Sequence, residues 1–191
     1  MISTDKPVGI LSFPDSRSYG AVLQMRALYE VVSDLGFDTE IIHYCNQYMR
    51  QSRHFRAQQT GSALKKRLRR AGRDFMHRSM YRRFRRFEAQ MTQYPQKPIS
   101  ARKALEALSE RYAAVICGSD QVWNPEITGS DPSYFLDFCG PDTRKLSYAP
   151  SFGMEQLPEA FCQKIRQPLS ELDAISVREA KGAERSEGAH V

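Results

Sequence analysis

Residues 8–44 constrain the rest of the chain more than any other stretch. Val8–Phe13 (VGILSF) is a short apolar run of strand length. A polar loop, PDSRSYG, follows, and then Ala21, Met25, Leu28, Val32 and Leu35 recur at helical spacing. Gly36 supplies the left-handed stop that ends such a helix. Thr39–Tyr44 (TEIIHY) is the next strand. Strand, helix and strand on short loops make a βαβ unit, which demands a parallel sheet and a right-handed crossover.

The later segments fit that demand. Ala113–Cys117 (AAVIC), Lys145–Ala149 (KLSYA) and Ala174–Arg178 (AISVR) read as short strands, and Tyr134–Phe138 (YFLDF) as a further one. They are too short and too apolar for an exposed antiparallel sheet. Ser100–Arg111 reads as a helix capped by Ser100, with Ala104, Leu105 and Leu108 facing inward, and residues 158–172 as another. The fold class is α/β, doubly wound, with a mainly parallel sheet.

Residues 50–98 interrupt the alternation with a basic helical insertion. Between Arg50 and Arg86 stand fourteen Lys or Arg and one acid, Asp74. This stretch carries about +13 of formal charge, so a total of +6 leaves the remainder near −7. Leu64, Leu68, Ala71 and Phe75 keep one apolar stripe; Met76, Met80, Phe84, Phe87 and Met91 keep a second, slightly shifted. Pro95 and Pro98 end the helices. Such a face suits solvent, an anionic membrane surface or an anionic glycan. Nucleic acid is disfavoured, because no helix-turn-helix, zinc module or RNA-binding signature accompanies the charge.

No apolar run approaches the roughly 20 residues of a membrane span. The start, MISTDKPVGILSFPD, lacks the apolar core of a signal peptide, so the expected location is cytoplasmic, with membrane-peripheral contact through the basic segment as an option. Cys45, Cys117, Cys139 and Cys162 are far apart and lack metal-ligand spacing, so they read as reduced thiols and no metal is expected. His43 alternates with apolar neighbours on a strand, the pattern of a core or edge histidine.

Ligands of a parallel α/β sheet sit beyond the carboxyl ends of the strands. After the first strand come Asp15-Ser16-Arg17-Ser18-Tyr19-Gly20; after AAVIC come Gly118-Ser119-Asp120-Gln121-Val122-Trp123-Asn124. After KLSYA come Ser151-Phe152-Gly153, and after the last strand Arg178 and Glu179. These four sets are expected on one rim. Each residue has two readings. Gly20 serves close packing, or exposes helix amides to an anion. Asp120 caps a helix, or does acid–base work. Trp123 anchors the core, or stacks on a sugar ring beside the forked polar groups of Gln121 and Asn124. Arg178 pairs with Glu179 or a neighbour, or holds an anion.

The series SYGAVLQ (18–24), EIIHY (40–44), YAAVICGSDQVWNP (112–125), YFLDF (134–138), KLSYAPSFG (145–153) and DAISVRE (173–179) resembles the polysaccharide pyruvyl transferase family in order and spacing, over nearly all of residues 8–181. The string GSDQVWN is the most specific part. The resemblance implies an enzyme that moves the enolpyruvyl unit of phosphoenolpyruvate, a donor substrate and not a bound cofactor, onto a sugar of a cell-surface polysaccharide as a ketal. It implies a Rossmann-like domain that forms one half of a two-domain, glycosyltransferase-B-like fold. Residues 1–181 correspond to the amino-terminal half, residues 182–191 to a tail, and the carboxyl-terminal half has no match. An incomplete, truncated enzyme is therefore expected; the alternative is a non-catalytic sugar- or anion-binding domain. By the resemblance, Asp120 is the acid–base or orienting residue. Ser119, Gln121, Trp123, Asn124 and Ser151 contact the substrate, Tyr19, Gly20 and Gln24 shape the rim, and Arg178 meets the anion. The acceptor is a sugar or a lipid-linked oligosaccharide.

Overall fold

Ile41, Ile10, Ile116, Leu146 and Ala174 lie in one row across five hydrogen-bonded strands, all parallel. The computed structural model describes residues 6–13, 18–55, 82–91 and 97–179. In chain order the elements are β1 Val8–Leu11, α1 Tyr19–Asp34, β2 Thr39–Ile42, α2 Gln47–Phe55, α3 at residues 82–91 and α4 Arg102–Ser109. There follow β3 Ala114–Gly118, α5 Pro125–Thr128, a 3-10 turn Pro132–Phe135, β4 Arg144–Tyr148, α6 Glu159–Ser170 and β5 Ala174–Ile175. The strand order is β2-β1-β3-β4-β5. The expected α/β class with a parallel, Rossmann-like sheet is observed.

Both faces of the sheet are covered, as parallel strands require. On one face Val8, Ile10 and Ala114 pack against Leu28 and Val32 of α1. On the other, Leu11, Ile42, Val115 and Cys117 meet Leu105 and Leu108 of α4 and Phe161, Ile165 and Leu169 of α6. Helix α1 forms as its spacing predicts: Ala21, Met25, Leu28 and Val32 are buried, and Gly36 takes φ +90°. Leu35 differs. It sits at the cap beyond the last full turn and is 70% exposed.

Three other expectations change. YFLDF is not a strand. Asp131 accepts the Ser133 amide at 3.0 Å, Pro132 opens a 3-10 turn, and Leu136 takes φ +58°. Tyr134, Phe135, Leu136 and Phe138 are all buried, so the segment has no exposed strand face. Ser100 does not cap α4, because the bridge from Ile99 to Tyr44 keeps the chain extended there; Ala101 takes the cap position without a side-chain bond, and Ala104 is exposed. The last strand stops at Ile175, well short of Arg178.

The bridge also locates the insertion. Cys45 N donates to Ile99 O at 3.0 Å and Ile99 N to His43 O at 2.8 Å, so the chain leaves and rejoins the sheet at one place. Of the basic insertion, residues 56–81 and 92–96 lie outside the described residues, and with them Leu64, Leu68, Ala71, Phe75, Met76, Met80 and Pro95. In α3 the expected two-faced pattern holds: Phe84 is buried and Phe87 half-buried, while Arg82, Arg83, Arg85 and Arg86 are exposed. No described helix is long and apolar enough to cross a membrane.

Candidate functional site

The order of the sheet reverses at β1, which has β2 on one side and β3 on the other. From β1 the chain enters α1 on one face; from β3 it runs into the core of the opposite face. A crevice opens beyond strand ends at such a reversal, the usual ligand position in open α/β sheets. The loops after β3 and β4 and the residues after β5 build one side of it.

Gly118 ends β3 with φ +140° and a cis peptide to Ser119. A Cβ there would lie 1.9 Å from the carbonyl oxygen of Tyr148, so only glycine lets β3 and β4 approach this closely. Beyond it the two loops are laced together. Ser151 N donates to Asp120 O at 3.0 Å, and Trp123 N donates to Ser151 O at 3.3 Å.

Trp123 then turns into the core. It is 0% exposed, stacks on Phe135 with ring centres 5.0 Å apart, and donates Nε1–H to Tyr134 O at 2.9 Å. The sugar-stacking role expected of Trp123 is therefore corrected: neither ring face reaches solvent, and the residue is a core anchor. Asn124 is also buried; its Oδ1 accepts Glu126 N at 3.0 Å and caps α5, while Nδ2 donates to Gln121 Oε1 at 3.1 Å. Its polar atoms hold the loop and are not offered to a substrate. Gly153, at φ +61°, seats against this pair. A Cβ there would lie 2.5 Å from Gln121 Oε1 and 2.9 Å from Asn124 Nδ2.

Ser151 needs a similar correction. It is 2% exposed, and its hydroxyl accepts Gly153 N at 3.0 Å and donates to the Glu179 carboxylate. Ser119 is nearly buried and its carbonyl accepts Arg178 Nη2 at 2.7 Å.

Three side chains of the rim remain accessible. Asp120 is half-buried; Oδ1 accepts the Gln121 amide at 2.7 Å, and Oδ2 has no hydrogen bond among the described residues. Gln121 is half-buried beside it. Arg178 is exposed, with its own amide donating to Pro150 O at 3.1 Å. It forms no ion pair among the described residues, so the expected alternative of pairing with Glu179 is not what the fold adopts. The structure thus brings Ser119, Asp120, Gln121, Ser151 and Arg178 to one rim.

Tyr19, Gly20 and Gln24 lie at the start of α1, the helix that follows β1. Ser18 caps the helix, its Oγ accepting Ala21 N at 3.4 Å. Tyr19 packs its ring on Phe84 and Phe87 of α3, at 5.1 and 5.0 Å. Gly20 and Gln24 are exposed one turn apart. Residues 14–17, including Asp15, Ser16 and Arg17, lie outside the described residues.

Burial displaces the acidity of two thiols and a phenol of the core. Burial pushes the Cys139 thiol up to about 12, and raises the Cys117 thiol and the Tyr134 phenol too. All three stay neutral and act as packing groups. Among the described residues there is no cluster of three or more His, Cys, Asp or Glu that would hold a metal ion. The sequence reading missed Glu179 as a site residue. The signal was its place directly after Arg178, beyond the last strand.

The model of the polysaccharide pyruvyl transferase family matches residues 19–191. Searches of curated proteins and of solved structures return no match. The matched span runs from the first turn of α1 past the arginine after β5, and the chain belongs to the polysaccharide pyruvyl transferase family.

Proposed function

We propose that this chain takes part in pyruvyl transfer from phosphoenolpyruvate to a sugar of a cell-surface polysaccharide. The observation that carries the reading is the pairing, on one rim, of a carboxylate with an open oxygen and an exposed guanidinium. Asp120 Oδ2 has no partner among the described residues, and Arg178 spends one N–H on Ser119 O at 2.7 Å. A guanidinium with donors to spare suits a phosphate. A carboxyl group on the same rim suits proton transfer.

The chemistry divides as follows. A proton reaches the methylene carbon of the donor, converting it to a methyl group and leaving a cationic centre at the neighbouring carbon. A sugar hydroxyl adds there and loses its proton. Phosphate leaves with the electrons of its C–O bond, and a second hydroxyl adds and loses its proton, which closes the ketal. Asp120 delivers the proton or orients the attacking hydroxyl, and Gln121 supports the acceptor. Arg178 balances the departing phosphate. In this reading the domain forms one wall of a two-domain, glycosyltransferase-B-like cleft, with the facing wall supplied by a second Rossmann-like half. The enzyme works in the cytoplasm, and the basic insertion draws it to anionic membrane carrying a lipid-linked acceptor.

The test is glycan-dependent release of phosphate from phosphoenolpyruvate. Asp120→Asn should lower turnover about a hundredfold or more, the scale of a lost general acid, with the fold intact by circular dichroism. Near-normal turnover in that variant sinks the assignment of Asp120. Binding of phosphoenolpyruvate without any phosphate release would favour an anion-binding domain instead.

A further inference from the structure

Arg178 and Glu179 are adjacent and oppositely charged, yet each turns to a different loop. Arg178 gives Nη2 to Ser119 O at 2.7 Å, whereas Glu179 takes the hydroxyl of Ser151. Ser151 cannot follow Glu179 elsewhere. Its amide is held by Asp120 O at 3.0 Å, its carbonyl by Trp123 N at 3.3 Å and its Oγ by Gly153 N at 3.0 Å. A serine held through its amide, its carbonyl and its hydroxyl, and 2% exposed, sets the position of whatever that hydroxyl bonds. Here it fixes a carboxylate.

The consequence falls on the neighbouring guanidinium. Arginine carries five N–H donors in a planar fork, and that fork prefers a carboxylate or phosphate to a single carbonyl. An unrestrained carboxylate on the next residue would compete for it. We propose that the Ser151–Glu179 hydrogen bond sets the anion affinity of this rim, by holding the Glu179 carboxylate off Arg178 and leaving the guanidinium open to a phosphate-bearing ligand. Ser151 and Glu179 are positioning residues, and the inference rests on the reading of Arg178 as an anion ligand.

The design has a definite sign. Ser151→Ala removes the hydroxyl that holds the carboxylate and keeps the main-chain bonds to Asp120 and Trp123. The released carboxylate then pairs with Arg178 and competes with the anion. Glu179→Gln removes the competing charge while keeping an acceptor for Ser151. Binding of inorganic phosphate and of phosphoenolpyruvate to the full chain is measured by titration calorimetry, and the Arg178 Nε–H resonance is followed by nitrogen NMR. The fluorescence of Trp123, the one tryptophan of the chain, reports the fold of every variant.

Ser151→Ala should weaken both anions about fivefold, the scale of one partly exposed ion pair. The double variant S151A/E179Q should return to within about twofold of the wild type, and E179Q alone should bind at least as tightly as the wild type. Unchanged affinity in S151A overturns the proposal. So does a loss in S151A that E179Q does not rescue, since that marks a collapsed loop, and so does weaker binding by E179Q alone. Wild-type protein that binds neither anion removes Arg178 as a phosphate ligand. The exchange of partners is then decided by the Arg178 resonance: a shift in S151A that reverses in the double variant supports it, and no shift overturns it.

Discussion

After β1 the chain enters α1 with Tyr19, Gly20 and Gln24 exposed; after β3 the six residues Ser119–Asn124 leave only Asp120 and Gln121 half-open. Both stretches are polar, and both border the same reversal of strand order. The polar atoms of the second are largely consumed. Asn124 caps α5 and bonds Gln121, Ser119 O holds Arg178, and Asp120 O holds Ser151. A buried polar group must be bonded, and each bond here fixes the course of a loop. A polar string after a strand is therefore chiefly a scaffold at β3, and an open surface at α1. The ligand chemistry narrows to the few groups with atoms to spare.

The largest break in the comparison comes from Trp123→Ala. A fully buried Trp stacked on Phe135 should cost about 3–5 kcal/mol when truncated. Urea unfolding measures it. A loss under about 0.5 kcal/mol would mark an exposed residue and restore the sugar-platform reading. Tyr19 supplies the matching control. Its ring meets Phe84 edge-on and Phe87 at a tilt and stays half-exposed, so Tyr19→Ala should cost about 1 kcal/mol.

Gly118→Ala is next. The added methyl meets the Tyr148 carbonyl at 1.9 Å, and φ +140° is a backbone state that alanine rarely adopts. Strain and overpacking together should cost about 3 kcal/mol. Thermal unfolding of the variant gives the value, and a cost below about 1 kcal/mol would mean that the β3 and β4 ends are not held this close.

How far the sequence disclosed these differences follows from the kind of signal each residue emits. Periodicity located β1, α1 and β2, because apolar spacing is a direct image of burial. Composition at strand ends located the rim, because a parallel sheet puts every carboxyl end on one side. Neither signal says where a side chain turns after the strand stops. Trp123 has no periodic partners that would show it pointing inward; its partners Phe135 and Phe152 come from separate loops. The 3-10 turn hid for the same reason. Tyr134, Phe135 and Leu136 are buried in succession, and a short apolar run of that kind reads equally as a buried strand. Glu179 was legible as a charge, but its partner Ser151 is distant in sequence and only the fold joins them.

Asn124→Ala probes a smaller step. Its Oδ1 accepts Glu126 N at 3.0 Å as the cap of a short helix, and losing a cap costs about 1 kcal/mol. Gln24→Ala, on the exposed side of α1, should stay within about 0.5 kcal/mol. Equilibrium urea curves for the two variants set scaffold against surface directly. Equal costs would mean that the loop after β3 is no more tightly specified than the helix after β1.

The effect on stability expected at Gly20 is small and of opposite sign, and it is the one that separates packing from ligand contact. A Cβ at Gly20 would meet only Ser18 Oγ, at 3.7 Å, and Gly20 lies in the first turn of α1 with no positive φ. Nothing described in the fold requires a glycine there. Gly20→Ala should therefore stabilise the protein by about 0.5 kcal/mol, because alanine loses less backbone entropy than glycine. A methyl group on an exposed amide surface has a different effect on a ligand, since it stands between an anion and the N–H groups of the first turn. If Gly20 serves the rim, the variant gains stability and binds phosphoenolpyruvate less tightly in the same preparation. Unchanged binding removes Gly20 from the site and leaves the β3–β5 rim to hold the donor alone. A loss of stability would show instead that Gly20 is closely packed, and would end the contrast between the two loops.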